Sequence, residues 1–395
     1  MLIDQLPLLS DSNVENLTAL VRVDMNVPIQ HENVADDTKL LAIIPTIEYL
    51  MAENAKIILM SHLGRPEGKV SEELRLNIPA ARLEELSGKI VHKLNETSGP
   101  NVKKLLSKMK PQEIYLLENV RFDPREDVGD ITLAQEVAEL ADIFVNDAFS
   151  VSHRDHALVT KIATLLPHYA GLNLENELRI LEPVRDNPHK PLTVIIGGAK
   201  LVTKIGLIKE FMKKADTIMV GGALAANFLA AEGLDIGKSL HDPNLTAEAK
   251  QIITDAKTQG VNLVLPKDVL VAGGLEDTDG AVIVPITAIP EDKMILDIGP
   301  QTLKVFETEI NKAKTVIWNG PMGAFETPPF DTFTKKLAEL IAQSKADSYI
   351  GGGETVEIVN DLDLNSGFTH ISTGGGAMLE FMEGKPLPGI DVLMQ

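Results

Sequence analysis

The sequence predicts an α/β protein of two domains, each a parallel sheet flanked by helices, joined by a hinge. Three observations carry that expectation. Short apolar, β-branched runs alternate with longer helix-period segments nearly throughout, which implies parallel strands joined by crossover helices. A chain of 395 residues exceeds one ordinary core, so two domains are expected. The groups at the strands' carboxyl ends, where open parallel sheets bind ligands, also change in kind from the first half to the second.

In the first half, residues 20–23, 56–60, 114–117 and 143–145 read as strands. In the second half the strand candidates are 193–196, 217–220, 263–265, 315–318, 348–350 and 369–371. Between them lie "KLLAIIPTIEYLMAEN", "TLAQEVAELAD", "LTAEAKQIITDAKTQG" and "DTFTKKLAELIAQS", each with the three-to-four spacing of an amphipathic helix. A helical pattern from about residue 173 runs into "LEPVRDNPHKPL", residues 181–192, whose three prolines mark the hinge.

Net charge is 37 − 57 = −20, which argues against nucleic acid or an anionic membrane as the main partner. An anion bound here needs a local basic cluster. With no cysteine, disulfides, thiolate zinc sites and cysteine nucleophiles are excluded. The N-terminus lacks the basic and apolar regions of an export signal, and no apolar run is long enough to span a membrane, so a cytoplasmic location is expected.

First-half strands end in charged or amide groups. "RVDMNVP" offers Asp24 and Asn26, "SHLGRP" offers His62 and Arg65, and "LLENVRF" offers Asn119 and Arg121. "FVNDAFSVSHRDH" adds Asp147, His153, Arg154 and His156. Converging guanidinium groups grip carboxylate and phosphate oxygens bidentately, so this half reads as a site for a small anion. His153 and His156 could suggest a metal, but with no third ligand nearby a His–Arg anion site is the better reading.

Second-half strands end in glycine: "IIGGAK", "MVGGAL", "WNGPMG", "IGGGET" and "STGGGA". Glycine lets backbone approach a ligand closely, and N–H groups at a helix start favour phosphate. Five such turns on one side of a sheet suit a nucleotide. In "VIIGGAKLVTKIG", Lys200 and Lys204 read as i and i+4 on one helix face, although the P-loop pattern is absent. Glu354 and Asp297 are the candidate carboxylates for a magnesium ion, with Asp297 equally readable as a buried cap. Glu326 could take ribose hydroxyls. The motifs of dinucleotide-binding dehydrogenases, zinc proteases and serine hydrolases are missing. An anion domain hinged to a nucleotide domain suits phosphoryl transfer, in which positioning and charge neutralisation do most of the work.

The chain resembles the phosphoglycerate kinase family along nearly its whole length. The resemblance rests on "RVDMNVP", "SHLGRP", "LLENVRF", "DAFSVSHR", "GGAKLVTKIG", "EGLDIGKSL", "LDIGP", "WNGPMGAFE", "GGGET" and "STGGGAMLEFMEGKPLPG". It implies two Rossmann-like domains and reversible transfer of phosphate between 1,3-bisphosphoglycerate and ADP, giving 3-phosphoglycerate and ATP, with Mg²⁺, in a monomer. By that resemblance residues 1–172 form the triose domain and 173–190 the interdomain helix and hinge. Residues 191–372 form the nucleotide domain, and 373–395 return to the first domain. The triose site would comprise Asp24, Met25, Asn26, Lys39, His62, Leu63, Gly64, Arg65, Arg121 and Arg154. The nucleotide site would comprise Gly198, Ala199, Lys200, Lys204, Gly222, Gly299, Asn319, Glu326, Gly352, Gly353, Glu354 and Thr355. Glu354 would meet the nucleotide-bound magnesium. Lys39, Lys200, Gly353 and Gly375 would serve the transferring group.

Several positions depart from the family pattern. Lys39 stands where an arginine is usual; it keeps the charge but loses the planar fork, which predicts slower turnover. Glu354 replaces an aspartate and is one methylene longer. "DAFSVSHR" stands for "DAFGTAHR", so Ser150 replaces a glycine. Met25 replaces a phenylalanine, and Phe333 a glycine.

Overall fold

Residues 1–199 and 201–395 are described by a computed structural model, in which the chain divides into two compact units. Met1–Glu182 form the first unit together with Gly376–Phe381 and Lys385–Gln395. Pro183–Gly375 and Met382–Gly384 form the second.

The first unit is built on a six-stranded sheet. Its strands lie in the order Val91–Lys93, Ile114–Leu116, Lys56–Met60, Thr18–Arg22, Ile143–Asn146 and His168–Ala170. Every pairing is parallel, so all carboxyl ends share one edge. Thr18–Arg22 and Lys56–Met60 are buried beyond their first residues, as central strands covered on both faces must be. Helix Thr38–Ala52 begins where Asp36 Oδ1 accepts the Thr38 N–H at 2.8 Å. It buries Leu40, Ile43, Ile47 and Leu50 in the same core as Val21, Ile57 and Val145, which follows from their helical spacing. The last segment of the chain packs on this unit too. Phe381 meets Phe149 edge-on, ring centres 6.0 Å apart, and Gly389 exchanges hydrogen bonds with Ser152 O and Asn146 Nδ2, each 2.8 Å. A Cβ at Gly389 would stand 2.8 Å from Val159 Cγ1, so only glycine fits there without displacement.

The second unit repeats the plan with the order Asn262–Val264, Thr217–Val220, Leu192–Ile196, Thr315–Asn319, Asp347–Ile350 and His370–Ile371, again all parallel. Trp318, Phe306, Phe333 and Leu337 anchor its core. The predicted α/β class holds in both units.

The structure adds strands that the alternation does not predict. The two outer strands of the first sheet, Val91–Lys93 and His168–Ala170, are three residues long and partly polar, too short to show a period. Asp268–Ala272, Val282–Pro285 and Met294–Ile298 form a separate antiparallel sheet. The loop 273–281 is too short for a crossover helix, so the chain doubles back. Asp277 holds that loop by accepting the N–H groups of Gly273 at 2.8 Å and Gly280 at 3.2 Å.

The stretch carrying Lys204 also differs from expectation. Leu201–Thr203 is a 3₁₀ turn and the α-helix begins only at Ile205, so Lys204 precedes the helix rather than lying one turn along it. Val202 and Thr203 are β-branched and favour an early α-helical turn less than straight-chain residues do. Lys200 lies outside the described residues.

Candidate active site

Asp24, Met25 and Asn26 follow the central strand Thr18–Arg22, and each is fixed by its neighbours. Asp24 Oδ1 accepts the Asn26 N–H at 2.8 Å, and Ser61 Oγ accepts that of Met25 at 2.8 Å. Asn26 Oδ1 accepts the Gly64 N–H at 2.8 Å, tying the first strand end to the His62–Arg65 loop after the second. Arg121 Nη1 donates to Gly64 O at 3.0 Å, and Asn119 Nδ2 to Leu63 O at 2.8 Å. The end of the third strand thereby braces the same loop. Gly64 has φ +63°, which favours glycine. Lys39, in the first turn of its helix, lies 2.7 Å from Asp24 Oδ2 and donates to Asn26 O at 3.1 Å. Arg65 and Arg154 are exposed, and their side chains make no hydrogen bond or ion pair among the described residues.

Buried nitrogen atoms that make no hydrogen bond gather at this edge, although Arg22 Nη2 lies 3.3 Å from Glu126 and Arg121 Nε 3.2 Å from Asp127 as ion pairs. His62 Nδ1, His153 Nδ1, His156 Nδ1, Arg121 Nε and all three guanidinium nitrogens of Arg22 are buried without a hydrogen-bond partner. Buried polar groups are almost always paired, so such a cluster points to a missing acceptor. Burial pushes His62 well below its ordinary pKa; Asp24 opposes that, while Arg121, Arg22 and Lys39 add to it. His153 falls to about 4 through burial and then Arg154, and His156 to about 4 through burial and then Arg22. Burial thus leaves these imidazoles neutral, and the neighbouring guanidinium groups add to the effect. Asp24 is an ionised carboxylate: burial alone would raise its pKa, but Lys39 and then His62 bring it to about 2. Sequence reading did not single out Arg22. It ends a buried strand and pairs with Glu126, itself fully buried, at 3.3 Å; an arginine among apolar strand residues was the available signal.

In the second unit the five glycine-bearing turns follow Leu192–Ile196, Thr217–Val220, Thr315–Asn319, Asp347–Ile350 and His370–Ile371, all along one edge of the sheet. Lys204 Nζ donates to Asn319 Oδ1, and Asn319 Nδ2 donates to Gly351 O at 2.5 Å. Thr355 Oγ1 accepts the Gly320 N–H at 2.8 Å. Burial lowers the Lys204 ammonium to about 8, with Glu354 and Glu383 opposing. Gly353 opens the helix Gly353–Asp361, and a Cβ there would meet nothing within 4 Å. Cβ atoms at Gly198 and Gly375 would also enter open space, whereas one at Gly222 would stand 2.8 Å from Gly198 N. Ala199, Gly353, Glu354 and Glu326 are exposed, and Thr355 is buried.

Two second-unit carboxylates are used structurally. Asp297 is fully buried and accepts the Phe333 N–H at 2.9 Å and its neighbour Ile298's at 2.8 Å, so of its two readings the buried cap is the one found. Burial raises its pKa well above the carboxylate range. Phe333, a departure from the family pattern, is absorbed as core. Gly299 lies against Asp268, which already takes the Gln301 and Thr302 N–H groups at the start of helix Pro300–Ile310.

Comparison with known proteins gives the family. A family model described as phosphoglycerate kinase matches residues 9–385. The phosphoglycerate kinase of Thermomicrobium roseum is 43% identical over 385 residues, spanning 98% of each chain. That of Dictyoglomus turgidum is 44% identical over 386 residues, or 98% of this chain and 97% of its own. The solved phosphoglycerate kinase of Coxiella burnetii is 35% identical and superposes with a TM-score of 0.83, covering 98% of both chains. The Pyrococcus horikoshii enzyme, 29% identical, superposes with a TM-score of 0.87 over 98% of both. Fold, strand-end chemistry and full-length similarity therefore agree that the chain belongs to the phosphoglycerate kinase family.

Proposed function

We propose that, in its family's transfer of phosphate between ATP and 3-phosphoglycerate, the first unit binds the triose and the second the nucleotide. The observation that carries this assignment is the cluster of buried nitrogens that make no hydrogen bond, with exposed guanidinium groups, at the first sheet's edge. It suits a small ligand bearing both a phosphate and a carboxylate. Asp24, Met25, Asn26, Lys39, His62, Leu63, Gly64, Arg65, Arg121 and Arg154 are its proposed contacts, and buried Arg22 adds to the field. Residues 1–172 and 191–372 are the proposed domains, connected through 173–190, with 373–395 belonging to the first. The change of unit between Glu182 and Pro183 supports the connection through 173–190, and Gly376–Phe381 with Lys385–Gln395 supports the return to the first. Residues 373–375 and Met382–Gly384, by contrast, fall in the second unit.

The acceptor of the forward phosphorylation is a carboxylate, already ionised at neutral pH. No general base is required, and the neutral histidines are free to act as hydrogen-bond partners. The cost lies in bringing two polyanions together. Lys39, Arg65, Arg121 and Arg154 would offset the triose charge, and Lys204 that of the nucleotide phosphates. Lys200 would follow the group in transfer. Gly198, Ala199, Gly222, Gly299, Asn319, Gly352, Gly353, Thr355 and Gly375 would frame the nucleotide and transferring group, and Glu326 would take the ribose. Closure that excludes water would keep ATP from hydrolysis.

Glu354 suits a magnesium ion carried by the nucleotide. It is one exposed carboxylate, and among the described residues no three His, Asp or Glu side chains gather to hold a metal alone. When bound, the ion supplies charge neutralisation at the phosphates. No helix among the described residues is long and apolar enough to cross a membrane. A net charge of −20 argues against nucleic acid as a partner, and we propose a cytoplasmic monomer.

Steady-state kinetics with Mg²⁺, ATP and 3-phosphoglycerate test the assignment. ADP should form only when all three are present, and Arg121→Ala should raise KM for 3-phosphoglycerate more than KM for ATP. Affinity without product would mean a binding protein descended from the family. Equal effects on both KM values would overturn the assignment of the triose to the first unit.

A further inference from the structure

Two departures from the family pattern, Lys39 and Ser150, meet on one oxygen atom. Ser150 lies in the 3₁₀ turn Phe149–Val151, and its hydroxyl donates to Asp24 Oδ2. The Lys39 ammonium lies 2.7 Å from that same oxygen. Asp24 Oδ1 is held by the Asn26 N–H at 2.8 Å, so the carboxylate is pinned at both ends. Lys39 in turn donates to Asn26 O at 3.1 Å.

We propose that Ser150 is a positioning residue which, through Asp24, aims the Lys39 ammonium at the triose's reacting end and so replaces part of what an arginine fork would provide. This rests on the assignment of Asp24 and Lys39 to the triose site. A guanidinium has five N–H donors in a rigid plane, so one edge can bind Asp24 while another faces the substrate. An ammonium has three donors on one atom at the end of a flexible stem. Two of them are directed to Asp24 Oδ2 and Asn26 O, and the third points wherever those two acceptors leave it. The direction of that third N–H therefore depends on where Oδ2 sits. The terminal torsion of an aspartate is broad, and a single hydrogen bond at Oδ1 leaves Oδ2 able to swing. The Ser150 hydroxyl removes that freedom. A glycine at 150 has no side chain to do so, and with arginine at 39 none is needed.

The test is a cycle of Ser150→Ala, Lys39→Arg and the double variant, assayed at saturating Mg²⁺-ATP and 3-phosphoglycerate. With Lys39 present, Ser150→Ala should lower kcat about three- to tenfold, the net worth of one ordinary hydrogen bond, with KM for ATP unchanged. Ser150→Thr, which keeps the hydroxyl, should restore most of the loss. In the Lys39→Arg background the same Ser150→Ala change should cost less than about twofold, because the fork orients itself. Equal losses in both backgrounds, or none with Lys39 present, would overturn the proposal. Lys39→Ala separates this from failure of the underlying assignment. Full turnover in that variant removes Lys39 from the site and the proposal with it. Lost turnover in Lys39→Ala beside an unaffected Ser150→Ala overturns only the role of Ser150.

Discussion

Asp147 offers a stability prediction whose sign and size follow from its surroundings. It is fully buried just beyond the strand Ile143–Asn146. Its Oδ1 accepts the N–H groups of Asn173 at 2.8 Å and Leu174 at 3.3 Å, the otherwise unpaired donors of helix Leu172–Asp186. Its Oδ2 is buried without a partner. Burial raises the carboxyl from 3.8 to about 7, against the lowering effect of Thr46 and the two N–H groups. A carboxyl raised on folding binds its proton more tightly in the folded protein than in the unfolded chain. Its contribution is thus fully present below its unfolded pKa and is lost as pH climbs to the folded value. The gap of roughly three units corresponds to about 4 kcal/mol, of which about 2 kcal/mol is lost between about pH 5.5 and pH 7. Asp147→Asn keeps an oxygen for the helix donors and cannot titrate. Its buried NH₂ adds a cost of about 1–3 kcal/mol that does not vary with pH. Urea unfolding of parent and variant, followed by far-UV circular dichroism, should show the parent losing about 2 kcal/mol relative to the variant over that interval, then levelling off. Trp318, the sole tryptophan, belongs to the second unit, so its fluorescence transition serves as an internal control. A stability difference constant with pH, or one that favours the parent as pH rises, would refute the reasoning.

Other predictions concern the proposed sites. Lys204 falls to about 8, so nucleotide affinity should weaken as pH rises through about 8 and the ammonium loses its charge; titration calorimetry should find that inflection absent in Lys204→Arg. Gly353→Ala adds a Cβ that meets no protein atom, so stability should stay within about 0.5 kcal/mol of the parent while turnover drops about tenfold or more as the methyl occupies phosphate space. Gly222→Ala combines φ +65° with a Cβ 2.8 Å from Gly198 N and should destabilise the second unit by about 2 kcal/mol or more in thermal unfolding. Lys39→Arg should raise turnover in a coupled assay, and an unchanged rate would count against the predicted cost of losing the fork.

How far the sequence reveals this protein depends on how local each signal is. The central strands are legible because burial on both faces favours near-continuous apolar runs rich in β-branched residues, such as Lys56–Met60 and Leu192–Ile196. The turns of the proposed sites are legible because a residue after a strand's carboxyl end lies at the sheet edge whatever the rest of the chain does. Edge strands of three residues carry no period, and the antiparallel sheet depends on how Asp277 closes a loop. Asp297 could not be assigned from sequence because a buried cap and a metal ligand are the same residue type in the same kind of turn. Its full burial and the bonds from the Phe333 and Ile298 N–H groups, at 2.9 and 2.8 Å, separate the two readings. Lys39 and Ser150 stand 111 positions apart (150 − 39). Each is visible as a departure, but their meeting on Asp24 is a product of tertiary structure.

Both sheets are six-stranded and parallel but order their strands differently, and the proposed sites differ in which part of the residue would serve the ligand. In the first, side chains from four neighbouring strand ends converge, and their mutual hydrogen bonds fix the loop 62–65 in place. Such a site can grip a compact anion from several directions, but each side chain must be oriented by another. This makes Lys39 sensitive to what holds Asp24. In the second, backbone N–H groups at glycine turns need no such orientation, since their direction is set by the strand and helix on either side. Losing a methylene or a fork therefore matters more in the first unit, and adding a methyl matters more in the second. Lys39→Arg and Gly353→Ala probe those two sensitivities. If each altered turnover while leaving stability near the parent's, the difference in construction would be the cause; if the glycine variant were as active as the parent, backbone recognition at that turn would have to be abandoned.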